Sequence, residues 1–550
     1  MLTLGSRLAA QGDTFPNGVA AGDVTQTSAV LWAHSTATGK LTFEYGEAGA
    51  DGAISGTPTT QSAEVKDAAV PVKISITDLK PGTAYAYKVT AADGSSASGK
   101  FRTPAAVGTK TGLRFGISGD WRGELAPYPS IRNAAERDLA FFVEFGDTIY
   151  ADFPSPDLDK PQATTLDEYR IKHNEVYSAR GGLNTWADLR GSTAVLATID
   201  DHEVTNDFAG GAPPASDKRF ADDPASLISE TKLYKNGLQA FGEYNPIADE
   251  TYGDTGEPRT ANKPKLYRFR EYGSDAAVFV LDARTFRDTE LPDVGELTKE
   301  NVAKYLAASF DPKRTMLGKA QFDLLKADLL QAQKDGVTWK FVLVPEPIQN
   351  LGVVNASDRF EGYAAERTEL LKFVHDNKLT NVVFVTADIH GTVINNLFYQ
   401  EKLGGEQIPL DSWEISTGPV AFDAPFGPTV VDLAAQFKFI NAQQKALYGF
   451  APANVKENIL TQLIDGQVKP LGYDTVGLDG SNIDAKLVSG GWTATSYYGW
   501  TEFEIDQDTQ ALRVITYGLP FYTVKQAEDS AKIVAMQPAV VSEFTVQAKS

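Results

Sequence analysis

From about Asn17 to Thr103 apolar and polar residues alternate between turn signals, as in Ala29-Val30-Leu31-Trp32 and Ala84-Tyr85-Ala86-Tyr87-Lys88-Val89. A period of two predicts short strands with one buried face, and so an N-terminal β-sandwich over residues 1–104. Thr103 to Gly112, with Pro104 and small residues, reads as a linker. Beyond it the texture changes. Leu113–Ile117, Leu139–Phe145, Val195–Ile199, Ala276–Leu281, Trp339–Val344 and Asn381–Thr386 are apolar runs rich in β-branched and aromatic residues, separated by long helical stretches. They predict interior strands of a larger α/β domain over residues 113–550. Arg314–Lys334 has the apolar spacing of an amphipathic helix, with Leu317, Phe322, Leu325 and Leu329 on one side. Trp413–Ser416, Thr501–Ile505 and Ala511–Tyr517 predict strands of a second sheet. The Pro-, Asp- and Gly-rich insertions Pro154–Thr165 and Ala209–Ala225 are expected to rim a site.

A chain of 550 residues is too long for one ordinary core, which agrees with two domains. The formal charge of −21 argues against nucleic acid or an anionic membrane as a standing partner. Phosphate chemistry stays open if cations supply the positive charge. Absence of cysteine removes disulfides, zinc-thiolate sites and cysteine nucleophiles together, and is compatible with export. Apolar runs such as Ala276–Leu281 fall far short of the roughly 18 residues of a membrane span, so no transmembrane segment is expected. Met1 to Ala10 lacks the basic and long apolar regions of a signal peptide.

The chemistry is concentrated where predicted strands end. Ser118-Gly119-Asp120-Trp121-Arg122, Gly146-Asp147-Thr148-Ile149-Tyr150, Asp200-Asp201-His202-Glu203, Val344-Pro345-Glu346 and Ala387-Asp388-Ile389-His390 all place hard oxygen or nitrogen donors there. Loops from the carboxyl edge of a sheet can converge on shared ions, as a two-metal hydrolase requires. Gly146 is expected to let the backbone approach an ion, Asp147 to bridge two cations, and Tyr150 to place a phenolate on one of them. Three acids and an imidazole packed into 200–203 are costly unless cations compensate them, which makes Asp201 a ligand and His202 a donor to phosphate or leaving group. In an extended segment Asp388 and His390 point the same way and can share a centre. Asp120 reads either as the cap of a helix beginning near Pro127 or as a ligand with Arg122 gripping a phosphate oxygen. Glu346, after the strand ending at Val344, is a weaker ligand candidate, with lining the pocket as its alternative reading. Of the five histidines, His34, His173 and His375 lack acidic strand-end context and are expected to be structural or solvated.

Taken in order, these motifs resemble the alkaline phosphatase D (PhoD-like) family. The supporting segments include Asn17-Gly18-Val19-Ala20-Ala21-Gly22-Asp23 with Leu31-Trp32, and Leu281-Asp282-Ala283-Arg284. Leu317-Gly318 with Gln321, and Gly362-Tyr363 with Arg367, add to them. Leu79-Lys80-Pro81-Gly82-Thr83-Ala84-Tyr85 is similar to the tyrosine corner of fibronectin type III sandwiches, whose phenol bonds nearby backbone. The resemblance implies a calcineurin-like metallophosphoesterase αββα sandwich preceded by a fibronectin type III-like β-sandwich. It implies phosphoester hydrolysis at alkaline pH, an extracytoplasmic location after twin-arginine export, and an iron and calcium centre held by Asp147, Tyr150, Asp201, Asp388 and His390. In this chain Asp120 stands at the family's cysteine ligand and Ala387 at the family's glycine. Aspartate in place of thiolate favours calcium, manganese or ferric iron over softer ions. The implied mechanism is metal-activated water attacking a small phosphoester, with His202 at the leaving oxygen and Arg122 or Arg284 stabilising charge. The alternatives are a phosphodiesterase or phospholipase D on the same site, a purple acid phosphatase, which normally needs more histidine ligands, and a non-catalytic surface-binding protein.

Overall fold

In the computed structural model, which describes residues 14–473 and 475–549, two large sheets face each other. In the first, strands Leu113–Ser118, Phe141–Phe145 and Ala194–Thr198 lie side by side in parallel. This ten-stranded sheet continues on one side through Tyr497–Ile505, Leu512–Pro520, Ala539–Val546 and Ala485–Ser489, and on the other through Val19–Gly22, Ala29–Ala33 and Val72–Ile76. The seven-stranded second sheet has Ala276–Val280, Trp339–Leu343 and Val382–Thr386 as parallel neighbours. Residues alternating along these strands meet between the sheets. Phe115 stacks on Phe141 at 4.7 Å and on Phe503 at 4.8 Å, and meets Phe341 of the opposite sheet edge-on at 4.9 Å.

The outer faces are covered by helices where the parallel strands lie, and those strands are buried on both sides. Phe142 and Trp500 pack with Tyr169, Val176 and Trp186 of helices Leu166–Tyr177 and Thr185–Ser192. Phe279, Val342 and Phe384 pack with Phe322, Leu325, Leu370 and Leu371 of helices Lys319–Lys334 and Ala364–Asp376. The expected αββα sandwich is therefore the observed fold. Helix Lys319–Lys334 begins later than its apolar pattern suggests. Glu366 accepts the Met316 and Leu317 amides at 2.9 Å, and Gly318 turns the chain at φ +72° before the helix can start.

The N-terminal part is the antiparallel sandwich expected from the alternation. Its own sheet comprises Thr59–Val65, Gly39–Glu47, Ala84–Thr90 and Ser96–Arg102, with Phe43, Tyr87 and Val89 sharing a core with Leu31. The Tyr85 hydroxyl accepts the Lys80 amide at 2.8 Å, closing the corner. The facing strands belong to the ten-stranded sheet, since Ala21 and Gly22 pair in parallel with Ala194 and Val195. Asp23 ends the first of them and is held by Arg268 at 2.9 Å and Arg270 at 3.0 Å. Thus part of the Asn17–Asp23 run serves to weld the sandwich to the larger layers. Among the described residues no helix is long and apolar enough to cross a membrane. The stretch Met1–Ala10 lies outside the described residues.

Candidate metal centre

Three parallel strands in each sheet end at the same edge, so the loops that leave them meet there. Four sets of donors result, each with ligand atoms within 4.8 Å of one another: Asp120, Asp147 and His390; Asp147, Asp201 and His202; Asp200, Glu346 and Asp388; Asp201, Asp207 and Asp358. The Tyr150 hydroxyl lies 3.4 Å from His390 Nε2, and its ring lies 4.1 Å from that of His202. Asp120, Asp147, Tyr150, Asp201, His202, Asp388 and His390 are thus brought together from distant parts of the chain. His34, His173 and His375 stay outside. His34 bonds the Ala68 carbonyl at 2.9 Å, His173 is buried against Tyr244, and His375 is exposed beside Asp376.

Local backbone geometry aims these groups. Asp120, Asp147, Asp388 and His390 all have left-handed backbone, with φ of +61°, +50°, +64° and +58°. Such conformations are unfavourable for side chains bearing Cβ and persist where the surroundings hold them. The 388–390 segment is consequently bent rather than extended. His390 faces Asp120 and Asp147, whereas Asp388 faces Asp200 and Glu346, so the two do not fall in one donor set as an extended strand would place them. Gly146, at φ +75°, also acts differently from expectation. A Cβ there would lie 2.7 Å from Asp200 Cβ and 2.8 Å from its nitrogen, so the close approach it permits is that of the Asp200 backbone. No helix begins near Pro127; short 3₁₀ turns at Gly123–Leu125 and Pro129–Ile131 stand there instead.

Several neighbours brace the donors, and of these Asp152 and Asp358 carried no signal in the chain. Glu203, fully buried, accepts from the Thr148 hydroxyl at 2.6 Å and the Asp200 amide at 2.9 Å, joining two of the donor loops. Asp152 lies 2.6 Å from His202 Nδ1 and fixes that ring. Asp358 lies far from any strand end. It takes Arg284 at 2.7 Å and also pairs with Arg287. Arg284 is completely buried and forks onto both oxygens of Asp200 at 2.7 and 2.8 Å while also contacting Glu346. Arg122 pairs with Glu124 and lies over the Phe153 ring at 4.4 Å, and Phe422 beneath it stacks on His390 at 3.5 Å.

The electrostatics point to missing positive charge. Burial, and then the neighbouring acids, push Asp120, Asp147 and Asp388 well above the usual carboxylate range. Burial works against ionisation of Asp201 too, but Arg284 and His202 outweigh it and hold this acid low. Burial lowers His202, yet Asp201 and Asp152 prevail and raise it to about 9. His390 is pushed down to about 3, chiefly by burial, which leaves its ring neutral and its lone pair free. Asp120 Oδ2 and Glu346 Oε2 are buried and accept no hydrogen bond, whereas Glu346 Oε1 meets Arg284 and Asp201 Oδ1 lies 3.7 Å from His202 Nε2. Oxygen atoms withdrawn from water without a partner are costly, and a cation among them removes that cost. The donor set of carboxylates, one phenol and imidazole suits hard cations.

Comparison with known proteins agrees with this geometry. A family model described as PhoD-like phosphatase matches residues 118–459, and one for the N-terminal domain of PhoD-like phosphatase matches residues 3–105. Alkaline phosphatase D of Bacillus subtilis (strain 168) is 26% identical over 350 residues, covering 59% of this chain and 54% of that protein. The chain therefore spans about half the length of that curated relative. A solved structure described as that of PhoD aligns over 99% of this chain and 94% of its own, with a TM-score of 0.68 at 18% identity, which is a likeness of fold.

Proposed function

Since the chain belongs to the PhoD-like phosphatase family, we propose that it is a metal-dependent phosphoric ester hydrolase acting on phosphate monoesters. The observation that carries this reading is the convergence of buried carboxylates at one sheet edge, where Asp120 Oδ2 and Glu346 Oε2 accept no hydrogen bond. Asp120, Asp147, Tyr150 and His390 would hold one cation and Asp147 with Asp201 a second, while Asp200, Glu346 and Asp388 form a separate donor set. The family resemblance favours ferric iron with calcium, and the aspartate at position 120 admits manganese as well. Bound cations supply the charge that neutralises phosphoryl oxygens and lowers the pKa of water for attack on phosphorus.

The chain's own residues supply the rest. His202, oriented by Asp152 through Nδ1, carries the proton that the leaving oxygen needs. Arg122 adds positive charge from beside His390, where Phe153 and Phe422 hold its guanidinium. Arg284 keeps the acids in place from behind. We predict that Asp147→Ala and Asp388→Ala abolish turnover of 4-nitrophenyl phosphate by at least about a hundredfold, with circular dichroism unchanged. Full turnover by either variant sinks the mechanism.

A further inference from the structure

A cavity of about 440 Å³ opens directly from the acids, with Asp207, Asp358, Asp388 and His390 at one end. That volume lies within the roughly 300–1,000 Å³ usual for small-molecule sites. Its far wall is apolar: Leu351, Phe426, Val430, Leu433, Phe437 and Leu463 line it. The wall is tied to the donors, because the Phe426 amide donates to the His390 carbonyl at 2.9 Å. Gly391 makes this junction possible, since a Cβ there would lie 2.7 Å from that of Phe426. Helices Phe426–Gln436 and Ala453–Val468 carry most of the wall and pack on each other through Leu460 and Ile464. The remaining charge in the cavity is mainly acidic, with Glu290 and Asp293 among its lining. Its arginine, Arg359, is ion-paired with Glu361 at 3.3 Å. An anionic substituent entering this space meets carboxylates and no free cation.

We propose that this cavity receives the alcohol portion of the substrate, and that the enzyme prefers phosphoesters of uncharged, apolar alkyl or aryl alcohols. The inference rests on the hydrolase reading above and narrows its substrate class. In the reaction the water oxygen bonds to phosphorus and the ester P–O bond breaks. The departing oxygen takes its proton from His202, releasing the alcohol into the apolar cavity, one water proton restores His202, and the other stays with phosphate.

The test is a series of methyl, butyl and hexyl phosphate, followed by release of inorganic phosphate from the metal-loaded full chain. The value of kcat/KM should rise by about fourfold per methylene buried. 6-Phosphohexanoate, which ends in a carboxylate, should fall at least about tenfold behind hexyl phosphate. Val430→Gln and Leu463→Gln should flatten the series, read in each variant as the ratio of kcat/KM for hexyl phosphate to that for methyl phosphate. A flat series in the unmodified protein with normal methyl phosphate turnover overturns the apolar assignment alone. An unaltered slope in both variants does the same. Absence of phosphate release from every ester overturns the hydrolase reading, and this inference with it.

Discussion

Arg284 shows how one cation can organise a site made of acids. Its guanidinium, wholly buried, meets Asp200, Asp358 and Glu346, and lies 3.5 Å from Asp201 and 3.6 Å from Asp388. Those carboxylates raise its pKa far enough, against the cost of burial, that it stays charged. Replacing it with methionine leaves several buried acids without their nearest counter-charge. Loss of one partner of such a pair costs about 3–5 kcal/mol. We expect Arg284→Met to lower the thermal midpoint sharply, and Arg284→Lys to recover only part because an ammonium cannot fork onto two carboxylates. A midpoint equal to that of the unmodified protein would remove Arg284 from this organising role. Position 284 was read from the chain as one of two arginines, with Arg122, that stabilise charge in the reaction. Its burial follows from Gly210 and Gly211, whose amides bond the Arg284 and Arg287 carbonyls and cover the segment, a closure that no local pattern announces.

Strand Ile408–Ser416 buttresses the same edge from the second sheet. Its Glu414 is fully buried and accepts from the Thr386 hydroxyl at 2.7 Å and the Ile348 amide at 3.0 Å, thereby linking the loops that carry Asp388 and Glu346. Burial pushes this acid up to about 7, against the hydrogen bonds that favour its ionised form. Because the folded pKa is above the ordinary 4.5, the unfolded chain holds fewer protons between those values. Stability contributed by Glu414 is therefore greatest at low pH and falls as pH rises through that window, by about 1.4 kcal/mol per unit. The thermal midpoint of the unmodified protein, measured against Glu414→Gln, should accordingly decline from pH 5 to pH 7 and level off above it. A constant difference would show that Glu414 does not titrate in this range. Element type was legible here: Trp413–Ser416 reads as a strand from its apolar residues. Its place between Val382–Thr386 and Thr392–Tyr399, in a different sheet from the Thr501–Ile505 and Ala511–Tyr517 strands with which it was grouped, was not, since strand order is set by packing.

Across the assembled layers, the acidic edge has a thermodynamic consequence. Cations that bind only the folded chain stabilise it in proportion to the logarithm of their concentration, by about 2.7 kcal/mol at a hundred times Kd. Dialysis against a chelator should lower the thermal midpoint, and returning calcium should restore it. An unchanged midpoint in protein shown by elemental analysis to be metal-free would count against cations as part of the fold. The joined sheet adds a second whole-body feature. Val19–Gly22 pairs with Ala194–Thr198, the strand that delivers Asp200 and Asp201, so the N-terminal sandwich supports a donor loop directly.

From the order of residues alone came the strand ends, the hard donors placed on them, the N-terminal sandwich and the absence of thiolate chemistry, while the αββα layering was implied by resemblance to a family. These depend on periodicity and side-chain type, which act over a few neighbouring positions. Packing decided which acids face one another, that Asp388 and His390 part company, that Glu203 and Asp152 brace the loops, and that Arg284 lies behind the donors. Such outcomes depend on left-handed turns held by contacts from other strands and on charges meeting out of water. Neither exists until segments hundreds of residues apart are brought side by side.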